Sequence, residues 1–154
     1  MINKYSIGLV LGIVLSIVVV LTNIVFPNNS SDDGRIIGLS YLILFILFMG
    51  VGYFLSKKTN PLKNGAIAGA VSSAIAFFLT MLTFIVIDNL FLGIVSKQAE
   101  KIYGFTHQNT YQTMRDFINS GNLRGLVFGI IMATVFGGLA GALGASLRKL
   151  RILK

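Results

Sequence analysis

Four long apolar blocks alternate with short polar stretches along the chain. The blocks cover approximately residues 5–26, 36–55, 65–95 and 123–147. A helix needs roughly 18 or more apolar residues to cross a hydrocarbon layer about 30 Å thick, and it satisfies its own backbone hydrogen bonds in lipid. The pattern therefore predicts an all-α fold. We expect a polytopic integral membrane protein, an antiparallel four-helix bundle forming one domain over residues 1–154.

The polar stretch before the last block predicts a helical excursion on the outer surface at residues 97–121. The apolar spacing after the third block suggests that the third helix projects beyond the bilayer as far as Gly104. A short amphipathic helix then follows, with Asn109 or Thr110 as its N-cap and Gly121 as its C-terminal stop. The residues on its apolar face are Tyr111, Met114, Phe117 and Ile118. Such a helix either lies on the headgroups or caps the bundle, and we expect the capping arrangement.

Composition and charge distribution add a location and an orientation. The 154 residues are 55% hydrophobic and 12% charged, whereas soluble proteins have about 25% charged residues. Four crossings place both termini and the loop between the second and third blocks on one side. That side carries eight basic residues and no acid: Lys4, Lys57, Lys58, Lys63, Arg148, Lys149, Arg151 and Lys154. The positive-inside bias therefore predicts a multi-pass cell-membrane protein with both termini in the cytoplasm.

The basic residues cluster in two short segments, "SKKTNPLK" between spans and "LRKLRILK" at the C-terminus. Basic residues near a membrane surface gain about 1 kcal/mol each from anionic lipid. The candidate headgroup contacts are Lys57, Lys58, Lys63, Arg148, Lys149 and Arg151. The net charge of +8 is therefore assigned to topology and membrane lipid, and we expect no nucleic-acid partner.

Asp88 is the only acidic residue with strongly apolar sequence on both sides. If the third helix enters the membrane at Gly65, Asp88 lies about 34 Å further along its axis, which is roughly the full hydrocarbon thickness. We therefore expect Asp88 at the outer headgroup boundary, where Arg124 and Arg35 begin the fourth and second helices. An ion pair of Asp88 with Arg124 or Arg35 would tie these helix ends together. The alternative is an ion-coupling site at Asp88.

Small residues recur at four-residue spacing in the third and fourth blocks. This spacing lets helix backbones approach closely, which matters because lipid gives helices no hydrophobic reason to associate. The candidate helix-packing residues are Gly65, Gly69, Ser73, Gly137, Gly141 and Gly144. We expect tight antiparallel packing of the third helix on the fourth through them. Homo-oligomerisation through the same surface is the alternative.

The layout resembles an uncharacterised bacterial family of small four-helix membrane proteins that carries only a domain-of-unknown-function label. The shared features are a first hairpin with a short outer loop, a basic inner loop, a long third helix with "IDN" at 87–89, and a Gly-rich last helix with the basic tail "LRKLRILK". The resemblance implies the four-helix membrane fold and a bacterial inner membrane. It implies no activity.

Residues suited to catalysis or cofactor binding are scarce. The chain has no cysteine, and its single histidine, His107, has no neighbouring cysteine or carboxylate cluster that would complete a metal site. Its glycines fall inside apolar helices and not in a phosphate-binding loop. We therefore expect a non-enzymatic protein with no catalytic residue, no cofactor and no metal.

These observations favour an accessory or structural component that acts through helix packing and through contacts with a membrane-protein partner or lipid. The alternative is a small homo-oligomeric channel, holin-like pore or transporter. Support for a pore is thin, because the hydroxyl residues in the spans are scattered and form no charged ring.

Overall fold

The computed structural model of the chain describes residues 3–25, 33–56, 59–108, 110–111 and 113–152, with backbone alone for residues 33–38, 100 and 151–152. This part of the chain is all-helical and contains no strand. Its elements are α1 (Lys4–Val20), a π-helical segment (Leu21–Val25), α2 (Asp33–Leu55), α3 (Pro61–Leu90), α4 (Leu92–Val95), α5 (Ala99–His107) and α6 (Met114–Ile152).

Three helical stretches are long and apolar enough to cross a membrane: Lys4–Val25, Pro61–Leu90 and Met114–Leu150. The described apolar part of α2, Leu39–Leu55, is shorter. The outward faces of these helices carry many exposed large apolar side chains, as expected of helices surrounded by lipid and not by water.

The helices α3 and α6 form the central pair, α1 packs along α3, and α2 packs on α6 and α3. The facing glycines fix the directions: Gly65 meets Gly141 and Gly69 meets Gly137, so α3 and α6 run antiparallel. Contacts of α1 with α3, and of α2 with α6, advance together along both chains, so each of these pairs is parallel. The buried apolar core lies between α2, α3 and α6, at Phe48, Val51, Ala68, Ala76 and Ala140.

The first helix begins at a well-formed cap and changes its winding near its end. The Asn3 side chain accepts a hydrogen bond from the Ser6 backbone amide at 2.8 Å, which satisfies one of the free N–H groups of the first turn. After Val20 the chain continues as a π-helical turn, in which the Asn23 and Thr22 side chains both bond to the Val19 carbonyl. The described part of the first apolar block is therefore an α-helix that continues as a π-helix.

The third helix ends earlier than the apolar run of residues 65–95 predicts. The α-helix stops at Leu90, Phe91 has φ −113° and ψ 33°, and the single turn α4 follows before α5. The Asn89 side chain donates to the Ile85 carbonyl at 2.9 Å and so competes with the helical backbone near this break. The expected continuous projection of the third helix to Gly104 is therefore wrong.

The last helix is longer than expected. Gly121 was expected to stop a separate short helix, but α6 runs through it without interruption, because Gly121 keeps a negative φ and no left-handed cap forms there. Thr113 directly precedes the helix; its hydroxyl accepts from the Asp116 amide at 3.1 Å and donates to the Asp116 carboxylate at 2.6 Å. Thr113 therefore takes the capping role expected of Asn109 or Thr110, of which Asn109 lies outside the described residues.

The excursion between α3 and α6 folds back onto the start of α6. Phe117 packs edge-on against Phe105 and lies beneath Gly104, where an added Cβ would meet its ring at 2.8 Å. The other face of α5 exposes Ile102 and Tyr103. The described part of residues 97–121 thus includes α5 and the first two turns of α6, joined by an aromatic contact.

Candidate functional site

Four glycines bring the backbones of α3 and α6 into contact. A Cβ built on Gly65 would lie 2.6 Å from the Gly141 carbonyl oxygen, and one built on Gly69 would overlap the Gly137 carbonyl. No side chain fits at these positions while the helices keep this separation. We call Gly65, Gly69, Gly137 and Gly141 the glycine seam. The structure brings together all four of these sequence-predicted packing positions.

Ser73 extends the seam by a hydrogen bond between the two helices. Its hydroxyl is buried and lies 2.7 Å from the Ala133 carbonyl of α6 and 3.0 Å from the Ala70 carbonyl of its own helix. A Cβ on Gly137 would overlap the Ser73 side chain. A small polar residue is therefore accommodated only because the opposite position is glycine.

The second helix uses the other side of the same glycine row. Gly144, also predicted as a packing residue, faces α2, where its Cβ would overlap the Met49 carbonyl and lie 3.0 Å from the Tyr53 amide. Gly52 of α2 packs on the Gly141 backbone. The sequence analysis missed Gly52, although a glycine inside an apolar block was an available signal.

A glycine pair on α1 was also missed. A Cβ on Gly8 would lie 2.9 Å from the Ser72 carbonyl oxygen, and one on Gly12 would lie 2.9 Å from the Leu79 Cβ. The Ser72 hydroxyl, fully buried, donates to the Lys4 carbonyl at 2.8 Å. Gly8 and Gly12 have the same four-residue spacing as the seam, so the sequence did carry the signal for this contact.

At the opposite end of the α3–α6 pair, polar side chains replace glycines. Asp88 is only 2% exposed and Asn122 only 8%, and the Asn122 Nδ2 donates to the Asp88 Oδ2 at 2.8 Å. Beside this bond, Asn89 of α3 and Asn119 of α6 exchange amide hydrogen bonds at 2.8 and 3.4 Å. We call Asp88, Asn89, Asn119 and Asn122 the polar clamp, because their hydrogen bonds join α3 to α6.

Among the described side chains, Asp88 bonds to Asn122 and not to the expected Arg124. Asn122 supplies the hydrogen bond, whereas Arg124 is exposed. Two residues correspond to about 200° of rotation around a helix, so Arg124 points away from the face that Asn122 presents to α3. The side chain of Arg35 lies outside the described residues. Asp88 therefore joins the helix ends through the buried Asn122 amide.

The end of α1 is tied to the same region. Gln98, which is buried, donates from Nε2 to the Asn23 carbonyl in the π-helical segment at 3.3 Å. Val95 of α4 is 1% exposed, and α4 contacts the π-helical segment. The chain after α3 therefore closes over the end of the helix assembly.

Among the predicted headgroup contacts, Arg148 has a different environment. Its Nη1 donates to the carbonyls of Tyr53 at 3.3 Å and Phe54 at 3.4 Å and to the Ser56 carbonyl, at the C-terminal end of α2. A guanidinium there satisfies free carbonyls and complements the helix dipole. Lys63 and Lys149 are exposed. Lys57, Lys58 and the side chain of Arg151 lie outside the described residues.

Metal ligands do not converge in the described residues: no group of three or more His, Asp or Glu side chains could hold an ion. His107 stacks on Tyr103 with ring centroids 4.0 Å apart and lies on the surface. The two ends of the α3–α6 pair hold the helices together, by backbone contact at one end and by hydrogen bonds at the other.

No protein-family model, curated protein or solved structure matches this chain. The resemblance to the uncharacterised bacterial family stays a prediction based on layout.

Proposed function

We propose that this chain is a four-helix membrane protein with both termini in the cytoplasm, and that it acts as a non-enzymatic accessory or structural component through its helix surfaces. The alternating directions of α1, α2, α3 and α6 support four crossings, since α1 and α3 run one way and α2 and α6 the other. The basic residues near Lys63 and Lys149 favour a cytoplasmic location for that end.

The observation that carries the proposal is the glycine seam. Backbone contact between α3 and α6 leaves no space for a solute to pass along the central pair, which favours a rigid scaffold over a pathway within one chain. In contrast, the outward faces of α1 and α6 present continuous apolar surface, where a partner helix or lipid would be bound. The exposed residues on α6 include Val127, Phe128, Ile131, Val135 and Leu139.

The topology is testable in the natural background, since the chain contains no cysteine. Single cysteines replace Lys63 and Lys149 at one end and Thr110 and Arg115 at the other. A membrane-impermeant maleimide added to intact cells should label only Thr110→Cys and Arg115→Cys, and all four after permeabilisation. Labelling of Lys63→Cys in intact cells would refute the proposed orientation.

The scaffold role is tested against the pore and transporter alternatives. Purified protein is reconstituted into liposomes loaded with a small dye and, separately, with a pH-sensitive or K⁺-sensitive reporter. We expect the same leakage as in protein-free liposomes. Leakage that rises with protein amount would refute the scaffold proposal, and its loss in Asp88→Asn would then assign transport to Asp88.

Partner contact is tested by crosslinking from the exposed α6 face. A photoreactive amino acid at Phe128, 67% exposed, should give a discrete adduct of higher mass in native membranes, or lipid adducts alone if lipid is the only contact. The same amino acid at the fully buried Ala140 is the control and should crosslink only within the chain. A ladder of multiples of the chain's own mass would instead indicate homo-oligomers.

A further inference from the structure

An open apolar groove of about 580 Å³ separates α1 from α3 on the outward surface. Its walls include Ile13, Ile17, Leu21, Leu82, Val86 and Ile87. The two polar side chains that line it, Ser16 and Thr83, both donate to the Leu79 carbonyl, at 3.4 and 3.0 Å. Their hydroxyl donors are therefore satisfied within the protein, and the groove offers an occupant only apolar contacts.

The groove is closed at one end and opens onto the outward surface. At the closed end α1 and α3 touch, because Gly12 packs on Leu79 so closely that a Cβ there would lie 2.9 Å from the Leu79 Cβ. From Leu79 to Ile87 the groove extends about 12 Å along α3, at 1.5 Å per residue. One leaflet contributes about 15 Å of hydrocarbon, half of the whole layer. The depth of the groove therefore matches a single leaflet.

Polar groups begin where the groove ends. Leu21 is the first residue of the π-helical segment, in which the Asn23 carbonyl accepts from Gln98. Lys97, the sequence neighbour of Gln98, is exposed. Because the Gln98 side chain reaches Asn23, the Lys97 backbone lies near this end of the first helix. An apolar slot one leaflet deep, with an exposed lysine near its polar end, is complementary to a lipid tail joined to a phosphate.

We infer that the groove binds one acyl chain of a phospholipid from the leaflet at the polar-clamp end, with the lipid phosphate held by Lys97. The inference rests on the membrane placement proposed above and adds a specific lipid site to it. An anionic phospholipid is favoured over a zwitterionic one, because Lys97 adds a net attraction that ordinary boundary positions lack.

The chain contains no tryptophan, so a single introduced tryptophan reports on its own surroundings. Ile17→Trp places the reporter in the groove. Leu123→Trp on α6 is the control, at a similar depth by the helix register and similarly exposed, 60% against 55% for Ile17. Each protein is reconstituted into phosphatidylcholine vesicles with increasing fractions of phosphatidylglycerol brominated on its acyl chains, which quenches nearby tryptophan.

We expect the groove reporter to be quenched at a lower fraction of brominated lipid than the control. Adding Lys97→Gln should weaken this preference about fivefold, as expected for one basic residue near the surface, whereas Lys149→Gln at the other end should leave it unchanged. Adding Val20→Phe, which fills the groove, should make the two reporters equal.

Equal quenching of Ile17→Trp and Leu123→Trp in the otherwise natural chain would overturn the inference and reduce the groove to ordinary boundary surface. Protection of the groove reporter that increases with protein density would also overturn it, in favour of a second copy covering the groove. An unchanged preference in Lys97→Gln would overturn the assignment of the phosphate to Lys97. If neither reporter is quenched, the membrane placement itself fails, which separates that failure from a failure of the groove alone.

Discussion

The two ends of the α3–α6 pair hold the same helices together by opposite means. At the glycine seam, side chains are removed so that backbones touch. At the polar clamp, side chains are added so that a carboxylate and three amides bond across the gap. The seam gains dispersion and close packing, which depend on shape, whereas the clamp gains hydrogen bonds, which depend on chemistry. Mutations at the two ends should therefore lower stability for different reasons.

The largest expected effect is at the seam. Gly69→Ala places a methyl group on the Gly137 carbonyl, so the helices must separate, and we expect a loss of about 3 kcal/mol in the free energy of unfolding. Gly121→Ala is the matched control, because its Cβ meets nothing within 4 Å and alanine improves a helix interior by about 0.5–1 kcal/mol. Unfolding in mixed detergent, followed by circular dichroism, measures both. Equal stability of the two variants would contradict backbone contact at the seam.

The next effect is at the clamp. Asn122→Ala leaves the buried Asp88 carboxylate without its donor, and we expect a loss of about 2 kcal/mol in the same unfolding assay. Asp88→Ala should cost less in the Asn122→Ala background than in the natural chain, because the unpaired group has been removed. Additive losses would show that the two residues do not interact.

A smaller effect is expected where Arg148 bonds to the end of α2. Arg148→Gln removes hydrogen bonds and a favourable charge from the carbonyls of Tyr53 and Phe54, at a cost of about 1 kcal/mol. Lys149→Gln removes an equal charge from an exposed neighbour and should leave the midpoint of unfolding unchanged. Equal losses in both variants would point to net charge and not to the cap.

The smallest effect is expected for the amide pair. Asn119→Ala breaks one interhelical pair of hydrogen bonds, and such bonds average about 0.6 kcal/mol in membrane helices. Asn89→Ala should cost this amount plus the local Asn89–Ile85 bond, and the double variant should cost no more than Asn89→Ala alone. A loss as large as that of Asn122→Ala would place the amide pair, and not Asp88, at the centre of the clamp.

The apolar helices and the glycine seam could be predicted from the sequence because both follow from residue spacing within a helix. Apolar length and four-residue glycine spacing are properties of a single helix, and antiparallel order then pairs Gly65 with Gly141 and Gly69 with Gly137. The same reasoning applied to Gly8 and Gly12 would have located the α1–α3 contact. These features depend on spacing alone, which the chain displays directly.

The clamp could not be located in the same way. Whether Asp88 meets Asn122 or Arg124 depends on how α6 is rotated about its own axis, which opposite charge alone does not determine. The continuity of α6 through Gly121 likewise depends on the conformation of one residue, which composition does not fix. Rotation and local conformation are decided by packing among all the helices together.

The order of contacts has a consequence for biosynthesis. In the described part of the chain, α1 packs chiefly on α3 and α2 chiefly on α6, while α1 and α2 scarcely touch each other. The two helices that leave the ribosome first therefore scarcely pack on each other. Their main packing partners, α3 and α6, are synthesised later. Assembly becomes a late event, completed only when the last glycine-rich helix has been inserted.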